Sequence, residues 1–199
     1  MSTQAQTDHP IHELIAKRWS PYAFSERTVS TADLQSLFEA ARWAPSSYNE
    51  QPWRFLVATR GETAEFDRLL SCLVEPNRIW ARNAAALVLT IASRAFERNG
   101  KPNAAAVHDI GLASATLTLE ATARGMVVHQ MIGIEPERAR SLYEIPPRCD
   151  AITALAIGYF DPGDRVPEAL RKRDAGPRHR KPMRAFVFST KFGEPADFA

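Results

Sequence analysis

Ala44-Pro45-Ser46-Ser47-Tyr48-Asn49-Glu50-Gln51-Pro52-Trp53 separates two stretches of different periodicity. Before it, Leu34, Leu37, Phe38 and Ala41 recur at i, i+3, i+4 and i+7, the pattern of an amphipathic helix that ends near Trp43. After it, Phe55-Leu56-Val57-Ala58 is a short apolar run between Trp53 and Thr59 and reads as a buried strand. A loop therefore leaves a helix and enters a sheet. Pro45 and Pro52 each fix φ and restrict the residue before them, which limits the loop's freedom. Ser46, Ser47, Asn49 and Gln51 give it a dense set of hydroxyl and amide groups that donate and accept in many directions. Taken singly, each is ordinary turn chemistry. Together they suit a large heteroaromatic ligand better than a simple ion.

Outward from this loop, the pattern predicts a mixed fold. Ile11, Leu14 and Ile15 mark a first helix, followed by an extended Lys17–Phe24 in which Pro21 disfavours helix at Ser20. Ser30-Thr31-Ala32-Asp33 is a helix start, with a hydroxyl cap and an acid three residues on. Thr63–Leu73 has helical spacing through Phe66, Leu69, Leu70 and Leu73, and Ala84–Ala92 reads as a buried strand. Asn103–Arg124 is the longest helical segment. Val107, Ile110, Gly111, Ser114, Thr118 and Ala121 give it one face of mostly small residues. Gly125 sits where a left-handed residue ends a helix, and Met126–Met131 is extended. Pro136 opens a helix through Leu142, and Ala151–Tyr159 is another buried strand. Asp161–Pro182 reads as irregular, and Phe186-Val187-Phe188 as a short final strand. There is neither a regular βαβ period nor a G-x-G-x-x-G loop, so pattern alone gives one mixed α/β domain over residues 1–199.

Composition bounds the function. With 199 residues, 45% hydrophobic and 24% charged, the chain can bury a sizeable core and is not of disordered type. No run approaches the roughly 18 apolar residues of a membrane-spanning helix. The polar Met1–His9 lacks a signal-peptide pattern, which makes the cytoplasm the expected location. Cys72 and Cys149 have no metal-binding or redox spacing and are expected to be small buried hydrophobes. The net charge of +2 hides a cluster: Arg171, Lys172, Arg173, Arg178, Arg180, Lys181 and Arg184, opposed locally only by Asp174. Such a cluster suits a phosphorylated ligand, nucleic acid or only water.

Pro-Ser-Ser-x-Asn-x-Gln-Pro-Trp resembles the signature loop of the FMN-dependent nitroreductase family, and further matches extend over nearly the whole chain. The resemblance implies an α+β sandwich: a mostly antiparallel central sheet covered by helices, completed by homodimerisation, with two FMN sites at the subunit interface. It also implies roles for particular residues. Pro45 and Pro52 would shape the loop, and Ser46, Ser47, Asn49 and Gln51 would contact flavin. Arg18-Trp19-Ser20, just before Ala23-Phe24, matches the pattern in which the Arg and Ser hold the FMN phosphate and ribityl chain. Tyr22 stands where the family has a Lys or Arg near the flavin's pyrimidine edge, a departure that removes a charge. Asn77, in Pro76-Asn77-Arg78-Ile79-Trp80, matches an Asn that bonds the flavin ring. Trp80 replaces a second family cation; Arg54, just past the signature loop, is a candidate substitute for the cation missing at Tyr22. Ile132 and Gly133 would present backbone N–H groups to flavin N5 and O4. Arg178-His179-Arg180-Lys181-Pro182 resembles the family's C-terminal phosphate motif, in which Arg178 and Arg180 pair with the FMN phosphate.

The implied activity passes hydride from NADH or NADPH through flavin N5 to a small-molecule acceptor, an electron-poor nitroaromatic or quinone, by ping-pong kinetics. No catalytic side chain or metal site is expected. H-E-x-x-H, G-x-S-x-G and P-loop motifs are absent, and the five histidines are scattered. Asp109 and Glu120 read equally as surface charges or functional acids. A flavin-binding protein without turnover, on the same scaffold, is the alternative that the missing cations suggest. Nucleic-acid binding lacks a recognition helix, zinc spacing or ribonucleoprotein aromatics, and is not expected.

Overall fold

The computed structural model describes residues 4–199; the first three residues of the polar N-terminal stretch lie outside the described residues. Among the described residues, seven α-helices and four strands follow in the order α1 (Glu13–Lys17), α2 (Thr31–Arg42), β1 (Trp53–Thr59), α3 (Thr63–Leu70), α4 (Glu75–Ala81), β2 (Ala86–Ser93), α5 (Ala106–Ala123), β3 (Val127–Met131), α6 (Pro136–Tyr143), β4 (Cys149–Gly158) and α7 (Glu168–Asp174). The strands form one antiparallel sheet in the order β1-β2-β4-β3. The fold is the α+β sandwich with an antiparallel sheet that the signature loop implied.

The central strand β2 explains the layering. All eight of its residues are buried, and successive side chains of a strand point to opposite faces. Leu87, Leu89 and Ile91 join a cluster with Phe66, Leu69 and Leu70 of α3, Trp80 of α4 and Ala139 of α6. Ala86, Val88 and Ala92 join the opposite cluster, with Leu37 and Ala41 of α2 and Ile110, Ala113 and Leu117 of α5. Burial of both faces drives the sheet to be covered on both sides. Gln130 fastens β3 to α5 by donating to Thr118 Oγ1 at 3.0 Å. Gly125, at φ 73°, turns the chain out of α5 into β3.

Caps fall where the residue types place them. Ser30 Oγ accepts from the Asp33 amide at 3.0 Å, a standard stabilising contact at a helix start. Cys72 and Cys149 are buried free thiols. No described helix is long and apolar enough to cross a membrane.

Five local expectations need correcting. β1 is not a buried strand: it lies at the sheet edge with Arg54 and Val57 exposed, and only Trp53 and Ala58 are buried. The helix expected to reach Leu73 stops at Leu70, and a separate α4 begins at Glu75. Pro76-Asn77 is therefore the first turn of a helix, where proline's missing N–H costs nothing. The basic segment is not irregular throughout. α7 forms within it, carrying an i,i+4 Lys172–Glu168 pair at 2.8 Å. Asp174, at the end of α7, accepts the amides of Tyr22 and Ala23 at 3.0–3.1 Å. Phe186–Phe188 is not a strand; a short 3₁₀ turn at Met183–Ala185 precedes it, and Phe188 makes one isolated bridge to Pro195. On α5 the small-residue face divides, because Ile110, Ser114, Thr118 and Ala121 are buried while Val107 and Gly111 are exposed.

Candidate functional site

Arginines from both ends of the chain meet in one polar concavity of about 310 Å³. Arg18, just past α1, and Arg178 and Arg180, past α7, line it together with Trp19, Ser20, Tyr22 and His129. What joins the two ends is Arg178, whose guanidinium donates hydrogen bonds to the carbonyls of Ala16 (3.0 Å) and Arg18 (2.7 Å). These carbonyls are left without helical partners at the end of α1. The C-terminal segment thus docks by capping the first helix. Arg18 Nη1 reaches Ser20 Oγ at 3.3 Å. Burial and the neighbouring arginines together push the Arg18 guanidinium below its ordinary pKa, with Arg178 and Arg180 each opposing its charge. Arg178 is lowered in the same way, by burial first and Arg180 second. Like charges held together lower one another's stability, and an anion between them reverses the sign. Arg18 and Arg180 pair with no carboxylate among the described residues.

One end of the concavity is aromatic. The Tyr22 ring lies 4.7 Å from His129 and 5.2 Å from Trp80, and Trp80 lies 4.5 Å from His129. His129 Nδ1–H donates to the Pro21 carbonyl at 2.9 Å, which fixes the neutral tautomer with Nε2 as an acceptor. Burial lowers the His129 pKa, opposed by that hydrogen bond and aided by Arg173, so the ring stays neutral at physiological pH. One turn before Trp80 on α4, Asn77 Nδ2 donates to the Gly133 carbonyl at 3.0 Å, and the Val74 amide donates to the same oxygen at 3.1 Å. A Cβ on Gly133 would lie 2.5 Å from Asn77 Nδ2 and 2.8 Å from Val74 Cγ2. The glycine is there for close approach. Beside it Ile132 is 86% exposed.

The loop 44–53 lies elsewhere, and its polar groups face one another. The Ser47 amide donates to Asp109 Oδ2 of α5 at 3.0 Å, and the Gln51 amide to Ser46 Oγ at 3.0 Å. The Gln51 side chain donates to the Asn49 carbonyl at 3.1 Å. Pro45 is exposed and Pro52 is buried. Tyr48, Asn49 and Gln51 have φ of 53°, 56° and 51°, left-handed values that L-residues rarely adopt. Such backbone persists only where its surroundings enforce it, and it clusters at functional sites. The 94–103 turn supplies part of that enforcement. Arg98 stacks over Tyr48 at 4.4 Å, and the Glu97 amide donates to Glu50 Oε1.

The chain thus brings Arg18, Trp19, Ser20, Tyr22, Arg178 and Arg180 into one concavity. Asn77, Ile132 and Gly133 adjoin it through Trp80 and His129. Pro45, Ser46, Ser47, Asn49 and Gln51 are not among its lining residues. Arg54, the candidate substitute cation, is engaged instead with Glu97 and the Gln51 carbonyl at the edge strand. Two residues stand differently from the sequence reading: Asp109, open there between a surface charge and a functional acid, and Arg173, placed there only within the basic cluster. Asp109 is only 2% exposed and anchors the loop; its spacing beside buried Ile110, Ala113 and Leu117 was the available signal. Arg173 stacks over Tyr22 at 4.8 Å, and with α7 unrecognised nothing in the sequence singled it out.

Comparison with known proteins places the chain in a family: the model of the Nitroreductase family matches residues 15–159, and the chain belongs to that family. It is 30% identical over 148 residues to an uncharacterised 15.4 kDa protein of Mycolicibacterium smegmatis, covering 71% of this chain and 99% of that one. An Archaeoglobus fulgidus protein, provisionally named NADH dehydrogenase/NAD(P)H nitroreductase, is 27% identical over 159 residues, 74% of this chain and 83% of its own. A crystal structure of an oxidoreductase containing FMN superposes with a TM-score of 0.89 at 31% identity, over 98% of each chain.

Proposed function

We propose that this protein is an FMN-dependent oxidoreductase that takes electrons from NADH or NADPH and passes them to an electron-poor small molecule. The observation that carries this reading is the convergence of Arg18, Arg178 and Arg180 beside an aromatic wall of Tyr22, Trp80 and His129. That donor set fits a planar ring with a phosphate tail. Guanidinium forks match phosphate oxygens, and mutually repelling arginines gain most from a dianion. Family membership and the FMN content of the similar oxidoreductase support the same ligand.

On this reading Arg18, Arg178 and Arg180 hold the phosphate, with Ser20 at the ribityl chain and Trp19 behind it. Tyr22, Asn77 and the Ile132-Gly133 backbone border the ring. FMN, when bound, supplies hydride acceptance from a nicotinamide and its return to an acceptor. The chain's residues position that ring and exclude water. The loop carrying Pro45, Ser46, Ser47, Asn49 and Gln51 completes the pocket from a second copy, so the active unit is a homodimer. Exposed Ile132, Phe186 (60%), Phe192 (94%) and Phe198 (76%) are apolar surface suited to burial between two copies. Residues 1–199 form one such unit, acting in the cytoplasm. Reductant and acceptor use the same pocket in turn, which gives ping-pong kinetics. No side chain serves as an obligatory acid or base.

The test is an absorbance spectrum of the purified protein, followed by steady-state oxidation of NADH and NADPH with menadione or a nitrofuran. A flavin spectrum, one FMN per chain released on denaturation, and turnover with either nicotinamide are expected. A colourless protein that takes up no added FMN contradicts the reading. Bound flavin without turnover selects the non-catalytic flavin carrier.

A further inference from the structure

The concavity has two ends that differ in charge and shape. At one, Arg18, Arg178 and Arg180 surround Ser20; at the other, Tyr22 and His129 present aromatic rings. The aromatic end has one cation among the lining residues, Arg173, and one carboxylate, Asp174, which the amides of Tyr22 and Ala23 engage. Tyr22 is a phenol, and His129 is held neutral by burial, aided by Arg173 and opposed by its bond to Pro21. Trp80, which closes the aromatic cluster, carries no charge. Arg173 from α7 lies there, its guanidinium 4.8 Å from the Tyr22 ring centroid. It makes no ion pair with a carboxylate among the described residues. Its sequence neighbour Asp174 is occupied with the amides of Tyr22 and Ala23, an arrangement that also fixes the end of α7 against the Tyr22 backbone.

We propose that Arg173 is the cation that stabilises the negative charge added to the flavin ring on reduction, the charge that Tyr22 and Trp80 leave unsupplied. The inference rests on the reading of this concavity as a flavin site. A reduced nicotinamide delivers a hydride, two electrons and one proton, and is itself oxidised. The ring that accepts it gains one net negative charge unless a second proton arrives from solvent. A guanidinium beside the ring favours the charged product over the neutral oxidised ring, by an attraction that solvent screens because Arg173 is exposed. Because the oxidised ring is uncharged, Arg173 contributes little to its binding. That asymmetry separates Arg173 from the phosphate arginines, which bind the tail equally in both oxidation states.

The test compares Arg173→Gln, Arg173→Lys and Arg180→Ala with the native protein. FMN affinity is measured by fluorescence titration, and the two-electron potential of bound FMN by anaerobic spectroelectrochemistry. Arg173→Gln is expected to change oxidised-FMN affinity less than about threefold. It should weaken reduced-FMN affinity about tenfold, a fall of about 30 mV in potential. Arg173→Lys restores most of the potential. Arg180→Ala shows the reverse pattern, weaker binding of both forms at an unchanged potential. An Arg173→Gln protein whose potential equals the native one overturns the assignment, as does equal loss of potential in Gln and Lys variants. Failure of the native protein to bind FMN is a distinct result that removes the flavin reading and this proposal with it.

Discussion

Two polar regions of this molecule were readable as parts of one site, and they are built in opposite ways. The loop 44–53 satisfies itself. Ser46 bonds Gln51, Gln51 bonds Asn49, and buried Asp109 holds the Ser47 amide. The arginine concavity is different: Arg178 is bonded to two carbonyls, but Arg18, Arg178 and Arg180 oppose one another's charge, and among the described residues Arg18 has only Ser20 as a side-chain hydrogen-bond partner. The first region is a preformed shape, whose left-handed residues are held by neighbours. The second is an electrostatic imbalance that an anion corrects. A flavin with a phosphate tail needs both, a rigid wall for its ring and excess cation for its tail.

The largest effect that separates the two regions belongs to the concavity. On the proposed function, replacing Arg18 and Arg180 together by alanine would remove two charge-assisted contacts to the phosphate, worth about 1.5–3 kcal/mol each. FMN affinity should fall by at least about a hundredfold, while thermal stability stays near the native value because Arg180 is exposed and loss of half-buried Arg18 relieves its repulsion with Arg178. A double variant that binds FMN normally would move the phosphate site elsewhere. The loop should respond in the other currency, folding. Asp109→Ala strands the Ser47 amide and is expected to cost about 2 kcal/mol, or about 6 °C in Tm for a chain of this size. Asp109→Asn, which keeps an acceptor oxygen, should recover part of that loss. An unchanged Tm in Asp109→Ala would mean the loop holds its shape without this anchor.

Gly133→Ala probes the junction between the regions' supporting elements. Its Cβ meets Asn77 and Val74 inside contact distance, so a cost of about 1–2 kcal/mol is expected from local overpacking. Calorimetry should show a lowered Tm, and a variant as stable as the native protein would show that α4 can retreat.

How far the sequence disclosed all this depended on whether a signal was local. A mixed α/β domain was legible from the apolar run of β2 and the spacing of α2, and the family resemblance supplied the α+β sandwich and its antiparallel sheet. Arg18, Ser20, Tyr22, Arg178 and Arg180 were readable from short motifs, and the structure brings them together. α4 was hidden because Pro76-Asn77 has the chemistry of a turn as well as of a helix start. α7 was hidden because its stability comes from a contact 152 residues away, Asp174 on the Tyr22 amide. Arg54 looked like a substitute cation by proximity along the chain, but edge-strand geometry turns it to Glu97. Asp109 was legible in the sequence as either a surface charge or a functional acid, and only the fold decides, because its bond to a loop amide 62 residues away has no linear motif.

The smallest effect is a pH dependence. The folded His129 pKa lies below the ordinary value near 6.5, chiefly through burial. The folded protein therefore binds fewer protons than the unfolded chain in that range, and stability rises with pH across it. His129's contribution is complete above about pH 6.5 and is lost as pH falls toward its folded value. Urea melts between pH 7 and pH 5 should show that slope, and His129→Gln should flatten it. Equal slopes in both proteins would assign the acid sensitivity to other groups.

The most direct test of the arginine concavity as an anchor for an anionic tail is a paired titration of the cofactor-free protein with FMN and with riboflavin, which share a ring and differ by the phosphate. The account predicts that FMN binds at least about a hundredfold more tightly, and that Arg180→Ala narrows the gap. Equal affinity for the two ligands would contradict it.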